Sequence, residues 1–133
     1  MDYKQIFMDH LDDNDITYTD LDDGLVKIVF GGDNLKSIEV IAMFEDDNPD
    51  VGITSWSIGS FANNYEAGLR VCNEMNKEYK WVKFYLDKDS DVVADIYTTV
   101  DEYDCGPYCV TAIKRLIDII DMAYPNFMRA LWS

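Results

Sequence analysis

The chain has 133 residues, 48% of them hydrophobic and 14% aromatic, and its 26 acidic and 11 basic residues leave a net charge of −15. That length and apolar content fit one folded unit with a single core, not a disordered tail. The charge argues against nucleic acid and anionic lipid, which recruit Lys and Arg to phosphate, and favours basic partners.

The first residues, Met1-Asp2-Tyr3-Lys4-Gln5, have no basic start and no long apolar run. Neither a signal peptide nor a membrane span is expected. Three cysteines cannot all pair within one chain, which predicts reduced thiols in the cytoplasm.

A short helix comes first. Tyr3, Ile6, Phe7 and Leu11 recur at the spacing of one buried face, and Asp2 with Gln5 resembles a capping box. Asp12-Asp13-Asn14-Asp15 ends it. A run of strands follows: a short one at Ile16 and Tyr18, the Asp23-Gly24 turn, Leu25 to Phe30, a turn at residues 31–34, and Lys36 to Glu45. In the last of these, Ile38, Val40, Ala42 and Phe44 share one face, and Glu39, Ile41, Met43 and Glu45 the other. Residues 46–50 turn into a strand near Val51 to Ile58. Loops this short imply antiparallel neighbours.

Asn63 and Glu66 signal the start of a second helix, with Tyr65, Leu69, Cys72, Asn76 and Tyr79 as its main stripe. It hands over to a strand, Trp81 to Leu86, with almost no loop. Residues 87–91 turn into Val92 to Val100, completing a hairpin. A third helix is expected from about Pro107 to Ala123, since Pro suits the first helical turn. Its apolar face carries Cys109, Ala112, Ile113, Leu116, Ile117 and Ile120. Pro125 should break or kink it before a final apolar turn from Phe127 to Trp132. The order is helix, strand meander, helix, hairpin, helix: an α+β fold with an antiparallel sheet and three main helices.

Asn73-Glu74-Met75-Asn76, followed by Lys80-Trp81-Val82-Lys83-Phe84-Tyr85-Leu86-Asp87, resembles the N-x-x-N helix end and aromatic strand of the YbjN family. Ala123-Tyr124-Pro125 is similar to its closing segment. The resemblance spans nearly the whole chain and implies a single domain, residues 1–133, with a type III secretion chaperone-like fold. The family is described as bacterial sensory transduction regulators. It implies a small, often dimeric protein that works by binding another protein. Cys105-Gly106-Pro107-Tyr108-Cys109 has no counterpart in that pattern.

Catalytic chemistry finds little support in the residues. A thioredoxin-type site needs two residues between its cysteines, and three separate Cys105 from Cys109. Zinc needs three or four N or S ligands, and His10, Cys72, Cys105 and Cys109 are too scattered. Asp87, Asp89 and Asp91 match the first alternating ligands of an EF-hand loop, but Val92 and Thr98 stand where Gly and Glu are required. No metal, cofactor or enzymatic activity is expected. Asn73 and Asn76 are read as satisfying backbone groups at the helix-to-strand handover.

The aromatic strands offer the better functional candidate. Trp81, Lys83 and Tyr85 share a face of one strand, and Asp95, Tyr97 and Thr99 share a face of the next. With Ile41 and Met43, the residues Trp81, Tyr85 and Tyr97 form a candidate protein-binding surface, provided no helix covers it. The sequence thus predicts a non-enzymatic, homodimeric regulator or chaperone-like adaptor with a protein partner. The alternatives are an acidic inhibitor of a basic protein and a thiol redox protein using Cys105 and Cys109.

Overall fold

The computed structural model describes residues 1–133. The elements run α1 (Tyr3–Asp13), β1 (Thr19–Asp20), β2 (Leu25–Phe30), β3 (Ile38–Met43), β4 (Asp50–Ser55), α2 (Tyr65–Glu78), β5 (Lys83–Leu86), β6 (Val92–Thr99) and α3 (Cys105–Trp132). The strands form one sheet in the order β1-β2-β3-β4-β6-β5, antiparallel throughout. This is the α+β fold that the alternation and short turns predict.

Period-two alternation decides which face of the sheet meets the helices. Val26, Ile28, Val40, Ala42, Ile53, Phe84 and Ala94 are buried on the helix side. Against them α1 contributes Phe7 and Leu11, and α3 contributes Ile113, Leu116, Ile120 and Phe127. Phe127 packs 5.3 Å from Phe84 between ring centroids, and Phe7 packs 5.4 Å from Phe44. Burial of side chains this size stabilises by roughly 1.5–3 kcal/mol each. The opposite face of the sheet has no helix on it.

Several elements depart from their sequence expectation. The first strand lies at Thr19–Asp20 and not at Ile16 and Tyr18, because the Ile16 N–H bonds the Leu11 carbonyl at 2.9 Å and stays tied to the end of α1. Asn64, not Asn63, caps α2, and its amide instead reaches the Ala130 carbonyl of α3 at 3.4 Å. The buried stripe of α2 is Ala67, Gly68, Val71, Cys72 and Met75, while Tyr65 and Leu69 are exposed. Gly68 sets this rotation: a Cβ there would lie 2.8 Å from Phe61 and 2.9 Å from Leu86, so only glycine lets that side of the helix settle.

The third helix is longer at both ends than expected. It starts at Cys105 because the Asp101 carboxylate accepts the Tyr103 and Asp104 N–H groups, and the Asp101 carbonyl accepts from Cys105. Pro107 still falls in the first turn, where its missing N–H costs nothing. Pro125 lies inside the helix without ending it. A proline leaves the carbonyl four residues earlier without its helical donor, here Asp121. That carbonyl accepts from the Asn34 side-chain amide at 3.1 Å, so the helix continues without a lost hydrogen bond.

Candidate functional site

The helix-free face of the sheet is built in cross-strand rows. One row runs Lys27, Ile41, Thr54, Asp95, Lys83; a second runs Leu25, Met43, Gly52, Tyr97. The structure therefore brings Ile41, Met43, Tyr85 and Tyr97 onto one face. Ile41 and Met43 are half-buried, whereas Tyr85 is 38% and Tyr97 65% exposed. Gly52 matters here, since a Cβ on it would lie 2.8 Å from both Met43 and a Tyr97 ring carbon. Its absence lets those two side chains close over the strand.

Asp95 forms the floor of this face and is only 3% exposed. The Thr54 hydroxyl donates to its Oδ1 at 2.7 Å. The Lys83 ammonium stands 3.9 Å from its Oδ2, just within ion-pair range. That ammonium also lies 4.9 Å from the Tyr85 ring centroid and 5.8 Å from that of Tyr97, distances at which a cation is drawn to an aromatic face. Burial, and then the negative charge of Asp95, push the Tyr85 hydroxyl up to about 12. Sequence patterning put Asp95 on this face but gave no sign of its burial, which depends on Tyr97, Lys83 and Tyr85 converging from two strands.

Trp81 is placed elsewhere. The strand begins at Lys83, and Trp81 turns towards α3, where the Arg115 guanidinium lies 5.2 Å from its ring. Together with Ile96, Tyr97, Tyr108 and Ala112 these two residues line a groove of about 220 Å³. Trp81 is 63% exposed and lies beside the tyrosine face, not within it.

The other candidates have structural duties. Asn76 holds both backbone groups of Phe84: its Nδ2 donates to the carbonyl at 2.9 Å and its Oδ1 accepts the N–H at 2.8 Å. The Asn73 side chain, by contrast, is exposed on α2 and satisfies no backbone group, contrary to its expected role. Asp87, Asp89 and Asp91 cluster in the β5–β6 turn, where Asp87 accepts the N–H groups of Asp89 and Asp91. His10 is half-buried on α1. All three cysteines are free and buried. Burial raises the Cys72 thiol to about 11. Cys105 donates to the Tyr3 carbonyl at 3.5 Å, and its interaction with Cys109 lowers its own pKa and raises that of Cys109.

The YbjN family model, described as "Putative bacterial sensory transduction regulator", matches residues 5–105. The chain belongs to the YbjN family. The crystal structure of E. coli YbjN is similar over 90% of this chain and 87% of that one, with a TM-score of 0.65 and 14% identity. The chaperone–effector complex of SchA with HopA1 matches over 88% of each chain, with a TM-score of 0.60 and 12% identity. The Yersinia pestis type III secretion chaperone SycH, in complex with a fragment of YscM2, matches over 87% of this chain and 94% of that one, with a TM-score of 0.56 and 10% identity. At these identities the likeness establishes a shared fold. No curated protein matches this YbjN-family sequence significantly. No helix is long and apolar enough to cross a membrane.

Proposed function

We propose that this YbjN-family chain is a non-enzymatic protein-binding domain, a regulator or chaperone-like adaptor, that works as one unit over residues 1–133. The observation that carries the reading is the helix-free sheet face, where Tyr85, Tyr97, Ile41 and Met43 gather around a buried Asp95. Exposed aromatic side chains bracketed by half-buried aliphatic ones make the kind of anchor that dominates protein interfaces. The family supports a binding role, and SchA and SycH are shown in complexes with other proteins. Trp81 with Arg115 borders the same surface and extends it towards α3.

A homodimer fits as well, since Tyr65 and Leu69 leave apolar surface on α2. Three free, buried thiols suit the reducing cytoplasm. The net charge of −15 supports a second reading, an inhibitor that neutralises a basic protein.

Crosslinking capture from native cells, with mass spectrometry of the bound protein, tests the proposal. The Tyr85→Ala, Tyr97→Ala double variant should lose the partner while keeping its fold. A folded double variant that retains the partner would place the binding surface elsewhere. A basic enzyme as the sole captured partner, with its activity abolished, would favour inhibition.

A further inference from the structure

We infer that the free edge of β6 at Tyr97 and Thr99, with the groove beside it, is a docking site for the C-terminal segment of a partner protein, which adds as a short antiparallel strand and brings its terminal carboxylate to Arg115. The inference deepens the proposed function and rests on a binding role for the chain. The edge follows from the pairing. Asn76 bonds the Phe84 N–H and carbonyl from outside the sheet, so Phe84 points away from β6 and Lys83 points towards it, opposite Asp95. At the far end of β6 the Val100 N–H donates to the Pro49 carbonyl, on the β4 side. Direction alternates along an antiparallel strand, so Tyr97 and Thr99, like Asp95, turn their N–H and carbonyl groups to the β5 side. β5 begins at Lys83, and no group of the chain bonds those of Tyr97 and Thr99. An unpaired strand edge is a template that an extended segment completes.

β5 also sets the direction and length of the occupant. A segment laid antiparallel to β6 runs towards Lys83, and there β5 already fills the edge. At that stop, two residues before Lys83, stands Trp81, with the Arg115 guanidinium 5.2 Å from its ring. Arg115 belongs to none of the ion pairs of the chain. A guanidinium so placed can bond both oxygens of a terminal carboxylate. The groove of about 220 Å³ lies between this edge and α3, lined by Ile96, Thr98, Tyr108 and Ala112 as well as by Trp81 and Arg115. Residues of the added strand opposite Ile96 and Thr98 would direct their side chains into it, and the one opposite Tyr97 would lie on the open face. The fitting occupant therefore has an aliphatic last residue, opposite Ile96, and another aliphatic residue two places earlier. The charge of −15 favours basic residues further upstream and disfavours a second copy of this chain.

The test uses the full chain and acetylated heptapeptides that are basic in their first three residues and end valine-threonine-valine. One is the free acid, one the C-terminal amide, and one a free acid with both terminal-region valines replaced by asparagine. Amide hydrogen exchange followed by NMR reads the strand, and the Trp81 indole signal reads the groove. At saturation the free acid should slow exchange of the Tyr97 and Thr99 amides by about tenfold or more and shift the Trp81 signal. It should bind at least about tenfold tighter than the amide, which lacks the charge. It should also bind tighter than the asparagine peptide. Arg115→Gln, at an exposed position, should keep the melting temperature and erase the preference for acid over amide. Methylating the backbone nitrogen of the peptide's threonine, which faces Tyr97, should abolish the protection. No binding at millimolar peptide, unprotected Tyr97 and Thr99 amides, equal binding of acid and amide, or a preference that survives Arg115→Gln would each overturn the inference. Such a failure leaves partner capture through the tyrosine face intact, so the two ideas fail separately.

Discussion

Asp121 and Asn34 exchange hydrogen bonds across the molecule: the Asn34 N–H donates to the Asp121 carboxylate at 2.8 Å, and the Asn34 side-chain amide donates to the Asp121 carbonyl at 3.1 Å. The same carboxylate accepts the N–H groups of Asp33 and Leu35. One residue of α3 thus fixes the whole β2–β3 turn. The bond to the carbonyl takes the place of the helical donor that Pro125 lacks.

Replacing Asp121 with Ala should cost about 1–2 kcal/mol, as loss of a helix-cap side chain does. The bond from Leu35, then burial in opposition, then the bonds from Asn34 and Asp33 set its pKa, with a net shift below the ordinary carboxylate value. A depressed folded pKa gives stability that is present above the unfolded value near 4 and lost as pH falls through the folded value. Chemical denaturation of wild type and Asp121→Ala should therefore differ at neutral pH and converge under strong acid.

Tyr85 supplies the alkaline counterpart. Its folded pKa of about 12 lies above the unfolded value near 10, so the folded state holds the proton more tightly. That contribution is complete below about pH 10 and lost as pH rises towards 12. Tyr85→Phe should lose less stability than wild type across that window, measured by urea unfolding. Ultraviolet titration should show one late tyrosine that the variant lacks.

Cys105 precedes the helix start expected at Pro107, yet it is fully buried, because α3 begins two residues earlier. Cys105→Ser should nevertheless be mild, since a hydroxyl can donate to the Tyr3 carbonyl that the thiol already addresses. Cys109→Ser should cost more, about 1–3 kcal/mol, by burying a hydroxyl among apolar neighbours. Thermal melts of the two variants check the order. A thiol-reactive dye should label the native chain slowly and the unfolded chain at once.

Added salt should raise both thermal stability and any self-association, because a charge of −15 repels itself and screening weakens that repulsion. Light scattering and melting curves across salt concentrations measure this, and an unchanged or falling melting temperature would contradict it.

Much of the fold was legible because it is locally encoded. The strand Leu25 to Phe30 lies where alternation and its flanking turns put it. The Asn76 reading also stands, as a side chain serving backbone groups. Long-range relationships were not legible. Nothing near Val92 to Thr99 announces that this strand pairs with β4 as well as with β5. The rotation of α2 follows from Gly68 against Phe61 and Leu86, partners set only by the tertiary fold. Alternation groups Trp81 with Lys83 and Tyr85 only while the strand lasts, and β5 begins at Lys83. The continuity of α3 through Pro125 depends on Asn34, 87 residues from Asp121, which no window of sequence reveals.

Asn76 has a consequence for how this sheet meets others. Phe84 lies on β5, the outermost strand, and its N–H and carbonyl face away from β6, where an incoming chain would dock. The Asn76 amide offers them one donor and one acceptor, as the backbone of a further strand would. The helix impersonates a seventh strand one residue long. It occupies the outward-facing bonds at the middle of β5, so an incoming strand, whether in fibril-like stacking or in exchange between copies, would have to displace Asn76 to pair there. Beyond Asp95, β6 runs on past the end of β5, and there the Tyr97 and Thr99 backbone has no such guard.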